Sequence, residues 1–155
     1  MSNPEHELER PKEAQKLERF LGEWRVEGTL KMESTTAKVS GTWKFDKIAD
    51  GWGVVTEMDT EIEGMGHVQE TVLIGYDSEQ GKIRHFSMNR LAVRDHVGQW
   101  VDQDTLVVEY REKYNNENHS EVITIRFDSG QIEGDVVETV NGDVTVITDI
   151  TLTRL

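Results

Sequence analysis

The chain contains no cysteine and only two prolines among its 155 residues. Without cysteine it can form no disulfide, thiolate metal site or thiol nucleophile, so its stability must come from packing and hydrogen bonds. No run of about 18 apolar residues is present, which excludes a membrane-spanning helix. Residues 2–13 are charged where a secretion signal needs an apolar stretch, so we expect a cytoplasmic protein.

Positive charge is also scarce. Lysine and arginine together number 17 against 30 aspartates and glutamates, which gives a net charge of -13. This charge repels phosphate backbones, and nucleic acid is therefore not expected as a partner. The acidic residues are scattered along the chain and form no block, which is typical of an ordinary solvated surface.

Alternation of apolar and polar residues dominates the chain from residue 23 onward. In segment 24–32, Trp24, Val26 and Leu30 alternate with charged or polar residues, the period of a half-buried strand. The same alternation recurs between polar turns in segments 38–45, 52–59, 67–76, 82–89, 93–101, 106–114, 119–127, 131–140 and 144–155. This spacing predicts an all-β fold of about ten strands.

A short helix precedes the strands. Pro11 suits a first helical turn and Gly22 suits a stop, and the apolar residues between them recur at helical spacing. Those apolar residues are Ala14, Leu17, Phe20 and Leu21. Residues 1–10 show no apolar periodicity, so we predict a flexible segment there and a single domain over residues 11–155.

The connections between the predicted strands are short and contain no crossover helix. Asn141-Gly142 is the strongest hairpin signal, because a type I′ turn needs positive φ at both central residues. Short connections favour an antiparallel up-and-down meander, and closure of that meander removes its exposed edges. We therefore predict a closed antiparallel β-barrel.

Three segments carry a resemblance to a known family. LERFLGEWRVEG at Leu17–Gly28, with its Gly-X-Trp, resembles the start of the lipocalin-like (calycin) barrels, which include the intracellular fatty-acid-binding proteins. With LIGYDSEQGKIRHFS and VGQWVDQDTLVVEY, the chain is most similar to bacterial lipocalin-like proteins of a domain-of-unknown-function family. The resemblance implies structural roles for Trp24, packed across the closed end of the barrel, and for Arg154, which covers it.

No cofactor or metal site is predicted. The nitric-oxide-binding haem barrels of the same superfamily repeat glycine after this tryptophan, whereas Arg25-Val26 follow it here, which argues against haem without ruling it out. The five histidines lie on different predicted elements and lack metal-ligand spacing. The chain also has no GxSxG motif, phosphate loop or dinucleotide fingerprint.

The barrel interior is the predicted site, because a barrel of about ten strands leaves more room than its side chains fill. With the apolar residues turned inward, the candidate ligand-binding residues are Trp43, Trp52, Met58, Arg84, Phe86, Met88, Tyr110 and Arg126. The phase of segment 67–89 is open, since a shift of one residue would exchange His85 with Arg84 and Phe86. Arg126 could hold a carboxylate from inside, but Ile123, Ile125 and Phe127 form the better inward set, which favours an Arg126 on the outer face.

Two functions follow from such an interior. The first is binding of a small hydrophobic or amphipathic molecule in the cavity. The alternative is an enzyme in which Glu70 or His85 performs acid–base chemistry on such a ligand. A domain with a filled core that acts through its surface would show no cavity. A homodimer is compatible with the sequence.

Overall fold

The computed structural model describes residues 9–155, which form a ten-stranded barrel preceded by a short helix. Helix α1 spans Lys12–Gln15 and continues as a 3₁₀ turn over Lys16–Phe20. The strands are β1 Gly22–Met32, β2 Thr35–Ile48, β3 Gly53–Ile62, β4 Gly66–Asp77, β5 Lys82–Met88, β6 Val93–Trp100, β7 Thr105–Tyr114, β8 Glu117–Asp128, β9 Gln131–Val140 and β10 Asp143–Arg154. Most of the predicted flexible segment 1–10 lies outside the described residues.

Each strand pairs antiparallel with the next, and β1 pairs with β10 to close the barrel. The closing ladder runs from Trp24 opposite Arg154 to Met32 opposite Val146. The prediction of an antiparallel up-and-down barrel of about ten strands is confirmed. Among residues 9–155, no helix has the length and apolar character needed to cross a membrane.

The predicted N-terminal helix is confirmed, although only its first turn is α-helical. The carbonyl of Pro11 accepts hydrogen bonds from the amides of Ala14 and Gln15, each at 3.0 Å. Trp100 Nε1 donates to the Glu13 carbonyl at 3.1 Å, which ties α1 to the end of β6. The helix therefore plugs one end of the barrel, which we call the closed end.

Aromatic side chains fill the closed end. Trp24 is 1% exposed, and its Nε1 donates to the Phe20 carbonyl at 2.8 Å. The guanidinium carbon of Arg154 lies 4.2 Å from the centroid of the Trp24 ring, and its Nη1 donates to the Leu21 carbonyl at 2.8 Å. Phe20 stacks on Phe45 with ring centroids 5.2 Å apart. These contacts make the closed end a solid core.

The connections at the other end, which we call the open end, are tight turns. In the β9–β10 turn, Asn141 has a φ of 51° and Gly142 a φ of 85°. Both values are positive, as the predicted type I′ hairpin requires. The turns at this end border the interior space described next.

Candidate ligand-binding site

A cavity of about 330 Å³ occupies the open half of the barrel. Its apolar wall consists of Leu30, Met32, Val39, Met58, Ile62, Met65, Val68, Leu91, Ala92, Ile123, Val136, Val146 and Ile150. Its polar wall consists of Trp43, Thr60, Glu70, His85, Ser87, Asn89, Arg94, Glu121, Glu138 and Thr148. At the mouth, Met32, Met65 and Leu91 are 47%, 41% and 64% exposed.

Part of the interior stays unfilled in the open half because several inward side chains there are short. At the closed end the interior holds large rings such as those of Trp24, Phe45 and Phe127. Toward the open end the inward positions hold short side chains such as Thr60 and Ser87. A ten-stranded barrel is wide enough that these short side chains do not meet across it.

Arg94 on β6 organises the polar wall. Its Nη1 bonds the carboxylate of Glu121 on β8 and Oε1 of Glu138 on β9, the latter at 2.8 Å. Burial alone raises the pKa of Glu121, but the hydrogen bond from His96 and the charge of Arg94 outweigh it and lower that pKa. Glu121 is therefore held as a carboxylate.

Two histidines lie side by side next to this ion pair. His96 is fully buried, with Nε2 2.7 Å from Oε1 of Glu121 and Nδ1 3.2 Å from the carbonyl oxygen of His85. The His85 ring packs against it edge to face, with centroids 4.9 Å apart. His85 is 5% exposed and its Nδ1 has no hydrogen-bond partner among the described residues. Burial and the neighbouring His96 lower the pKa of His85 to about 4, so its ring is neutral at neutral pH.

Glu70 on β4 is the carboxylate that Arg94 does not bond. It accepts a hydrogen bond from Nδ2 of Asn89 at 2.5 Å. Oδ1 of Asn89 accepts from the amides of Leu91 and Ala92, at 2.7 and 3.0 Å, which fixes the β5–β6 turn. Burial raises the pKa of Glu70, and the Asn89 hydrogen bond only partly opposes that shift. Glu70 is thus a desolvated carboxyl group on the cavity wall.

Four of the residues singled out from the sequence line the cavity: Trp43, Met58, Glu70 and His85. Trp43 Nε1 donates to Oγ1 of Thr60 at 2.9 Å, so its polar atom is already satisfied. Met58 is 8% exposed and belongs to the apolar wall. Glu70 and His85, the candidates for acid–base chemistry, thus belong to one cavity.

Arg84, Phe86 and Met88 were predicted to face inward, and this is wrong. Strand β5 turns its odd-numbered residues to the interior, and burial alternates accordingly along the strand. Phe86 and Met88 are 37% and 50% exposed on the outer face. Arg84 pairs there with Asp95 at 2.6 Å. The observed strand has the alternative phase, shifted by one residue, in which His85 faces the interior.

Three further predicted residues lie elsewhere. Trp52 is at the closed end, stacked on Tyr76 at 6.4 Å, and does not line the cavity. Tyr110 packs 5.7 Å from the His96 ring and does not line the cavity, and burial and Glu112 raise its pKa to about 12. Arg126 points outward and pairs with Asp135 at 2.6 Å, because Ile125 and Phe127 take the inward phase.

Among the polar residues of the site that the sequence reasoning missed are Asn89, Arg94, His96, Glu121 and Glu138. A signal for Glu121 was present, because it shares its phase with Ile125 and Phe127 on β8. Glu138 likewise continues the inward phase of Ile132 on β9. Across residues 9–155, no group of three or more histidine, aspartate or glutamate side chains is arranged to hold a metal ion.

Comparison with known proteins gives a family and a fold. The family model described as "Protein of unknown function (DUF1579)" matches residues 9–88. No protein of curated function matches the chain. The crystal structure of Rv2717c from M. tuberculosis is similar, with a TM-score of 0.72 and 14% identity over 94% of this chain and 98% of that one. The structure of EF1p2_mFAP2b bound to DFHBI has a TM-score of 0.46 and 16% identity, over 92% of this chain and 99% of that one.

Proposed function

The chain belongs to the DUF1579 family of proteins of unknown function, and we propose that it binds a small amphipathic molecule inside its barrel. The observation that carries the proposal is the cavity of about 330 Å³, in which an apolar wall adjoins a compact polar cluster. Small-molecule sites are mostly apolar and contain a few polar groups that fix the orientation of the ligand. This cavity has that composition.

The mouth of the cavity supports the same function. Met32, Met65 and Leu91 line the cavity and are also exposed at its rim. Methionine is flexible and adapts to apolar ligands of different shape, so such a rim suits the entry of an apolar group. Exposed apolar side chains around a concave opening are typical of a binding surface.

The proposal can be tested with two adjacent valines on β9. Val136 lines the cavity, whereas Val137 does not and lies on the opposite face of the strand. We expect Val136→Phe to fill the cavity and weaken binding of the neutral fluorescent probe N-phenyl-1-naphthylamine by roughly tenfold or more. Val137→Phe adds the same ring outside and should bind the probe like the wild type. Equal binding by all three proteins would contradict the proposal.

Native mass spectrometry of the protein purified from its own host gives an independent test. We expect a reproducible adduct above the 17.8 kDa chain mass that is absent from Val136→Phe and retained by Val137→Phe. A clean chain mass, together with no thermal stabilisation by any apolar or amphipathic compound, would be evidence against a binding function.

Acid–base chemistry on the bound molecule is the second candidate. It is favoured by one observation, the raised pKa of the buried Glu70 carboxyl group, because a general acid or base works best with a pKa near the operating pH. Prolonged incubation of the captured adduct with wild type and with Glu70→Gln would test it. Conversion of the adduct by the wild type alone would support catalysis, and no conversion by either would leave binding as the function.

A further inference from the structure

We infer that the ligand is an amphipathic cation, in which an apolar body carries a protonated amine or amidine that binds the carboxylate of Glu70. This inference rests on the proposed function, because it specifies the chemistry of the molecule that the cavity holds. It depends on three features of the polar wall: its charge balance, its free hydrogen-bond acceptors and the buried His85.

The charge balance of the wall is negative. Among the charged lining residues in the described part of the chain, Glu70, Glu121 and Glu138 are acids, and Arg94 is the one arginine or lysine. Arg94 is engaged through Nη1 by both Glu121 and Glu138. Glu70 is therefore a carboxyl group without a guanidinium partner. A desolvated carboxylate gains most from a ligand that brings a positive charge to it.

The free hydrogen-bonding capacity that the structure shows at Glu70 is that of an acceptor. Asn89 donates to one oxygen, Oε2, while Oε1 takes no hydrogen bond from the described residues. A carboxylate can accept about four hydrogen bonds, so capacity remains for a ligand that donates. An ammonium or amidinium group supplies two or three N–H donors and a charge together.

His85 provides a second, independent indication of a ligand. Its side chain lines the cavity and is 5% exposed, yet Nδ1 has no partner among the described residues. A buried polar atom without a hydrogen bond is costly, and such atoms in native structures usually meet a water molecule or a ligand. A neutral imidazole always has one unprotonated nitrogen that can accept a hydrogen bond, as the Glu70 carboxylate does.

The same geometry disfavours a carboxylate ligand. An anion in the cavity would need a free cation there, whereas Arg126 lies outside the barrel in an ion pair with Asp135. The internal arginine, Arg94, is already shared between two carboxylates. A ligand carboxylate would add a fourth negative charge to this wall, and like charges within one cavity repel each other.

A matched series of ligands tests the inference. Octylamine, octan-1-ol and octanoate share one chain and differ in the charge of the head group, and their affinities can be compared by calorimetry at pH 7.5. We expect octylamine, as its ammonium ion, to bind most tightly and octanoate least. Glu70→Gln keeps the shape of the side chain and should weaken octylamine binding by roughly tenfold or more, with little effect on octan-1-ol. Glu57→Gln is the control, because Glu57 lies opposite Thr71, next to the Met58–Glu70 pair, and is exposed on the outer face.

The possible outcomes either support the inference, overturn the inference alone, or overturn the inference and the proposed function together. A preference for octylamine that is lost in Glu70→Gln and kept in Glu57→Gln would support the inference. Tighter binding of octan-1-ol or octanoate, or an octylamine preference that survives Glu70→Gln, would overturn the inference while leaving the cavity as a binding site. Failure of all three compounds and of N-phenyl-1-naphthylamine to bind the wild type would overturn both.

Discussion

At the scale of single residues, Glu70 should reduce stability at neutral pH in the empty protein. Burial raises the pKa of Glu70 in the folded state, so the folded protein binds this proton more tightly than the unfolded chain. The stability that protonated Glu70 contributes therefore falls as the pH rises from its ordinary pKa of 4.5 through its raised pKa in the folded state. We expect Glu70→Gln to melt at a higher temperature than the wild type at pH 7.5, by roughly 2–4 °C.

The gain from Glu70→Gln should disappear toward pH 4, where the wild-type carboxyl group is protonated as well. Differential scanning calorimetry of the wild type and Glu70→Gln at both pH values measures this difference in melting temperature. Glu57→Gln removes an exposed carboxylate on the outer face of β3 and should leave the melting temperature nearly unchanged. A lower melting temperature for Glu70→Gln at pH 7.5 would contradict this account of the site.

His85 should act on stability with the opposite sign. Its pKa is lowered to about 4 from 6.5, so the unfolded chain takes up this proton between those values while the folded protein does not. The neutral ring contributes stability that is fully present above pH 6.5 and is lost as the pH falls toward 4. Between pH 7 and pH 5 the loss is on the order of 2 kcal/mol.

Urea denaturation at pH 7 and pH 5 tests the role of His85. His85→Phe keeps a buried ring that cannot be protonated, so its free energy of unfolding should change less between the two pH values than that of the wild type. Ser87→Ala, at the next inward position of β5, removes no titrating group and should keep the wild-type pH dependence. An unchanged pH dependence in His85→Phe would show that this histidine is not protonated on unfolding.

At the scale of elements, we predict different effects on stability for alanine at two strand glycines. A Cβ at Gly28 on β1 would lie 2.0 Å from the carbonyl oxygen of Asp149 on β10, whereas at Gly75 on β4 its nearest neighbour is the Trp52 carbonyl at 3.7 Å. Gly28→Ala must therefore push the closing strands apart, at a cost of about 1–3 kcal/mol in the free energy of unfolding. Gly75→Ala meets no such obstacle and should change stability by less than about 1 kcal/mol. Equal denaturant midpoints for the two variants would contradict the close approach of β1 and β10.

The strands also show how far the sequence could predict the fold and the site. In the closed half of the barrel the interior is apolar, so the alternation of residues such as Trp24 and Val26 gives the correct phase. The turn at Asn141-Gly142 was predictable because few residue pairs other than Asn-Gly and its close analogues readily adopt positive φ at both positions. Strand number, pairing and closure followed from these local signals.

Strand β5 shows where that reasoning fails. Ile83 is inward in the closed half, but the next inward residues are His85 and Ser87, and the apolar Phe86 and Met88 face outward. The rule that apolar residues face inward inverts there, because the strand passes from the packed core to the polar wall of the cavity. Inverted polarity of this kind is typical of functional sites, which depart from the pattern that favours stability.

At the scale of the whole molecule, packing and binding occupy different halves of one barrel. The buried core includes Leu17, Trp24 and Phe45 at the closed end, and the cavity and its carboxylates lie in the open half. An unfilled cavity forfeits packing contacts, and its unpaired polar groups add a desolvation cost. The closed half therefore supplies most of the stability that lets the open half keep a site.

This division predicts a gradient of local stability along the β1–β10 ladder. Segments 24–27 and 151–154 pair with each other beside the packed core. Segments 30–32 and 146–148 pair with each other beside the cavity. All four segments belong to one continuous ladder. Local opening is easier where fewer apolar contacts hold the strands, so amide hydrogen exchange measured by NMR should be roughly tenfold or more faster in the open half. Octylamine should slow exchange in the open half and leave the closed half unchanged, because a ligand stabilises the region that it contacts. Uniform exchange along the ladder would show that the barrel opens as one unit and that the cavity does not weaken its walls.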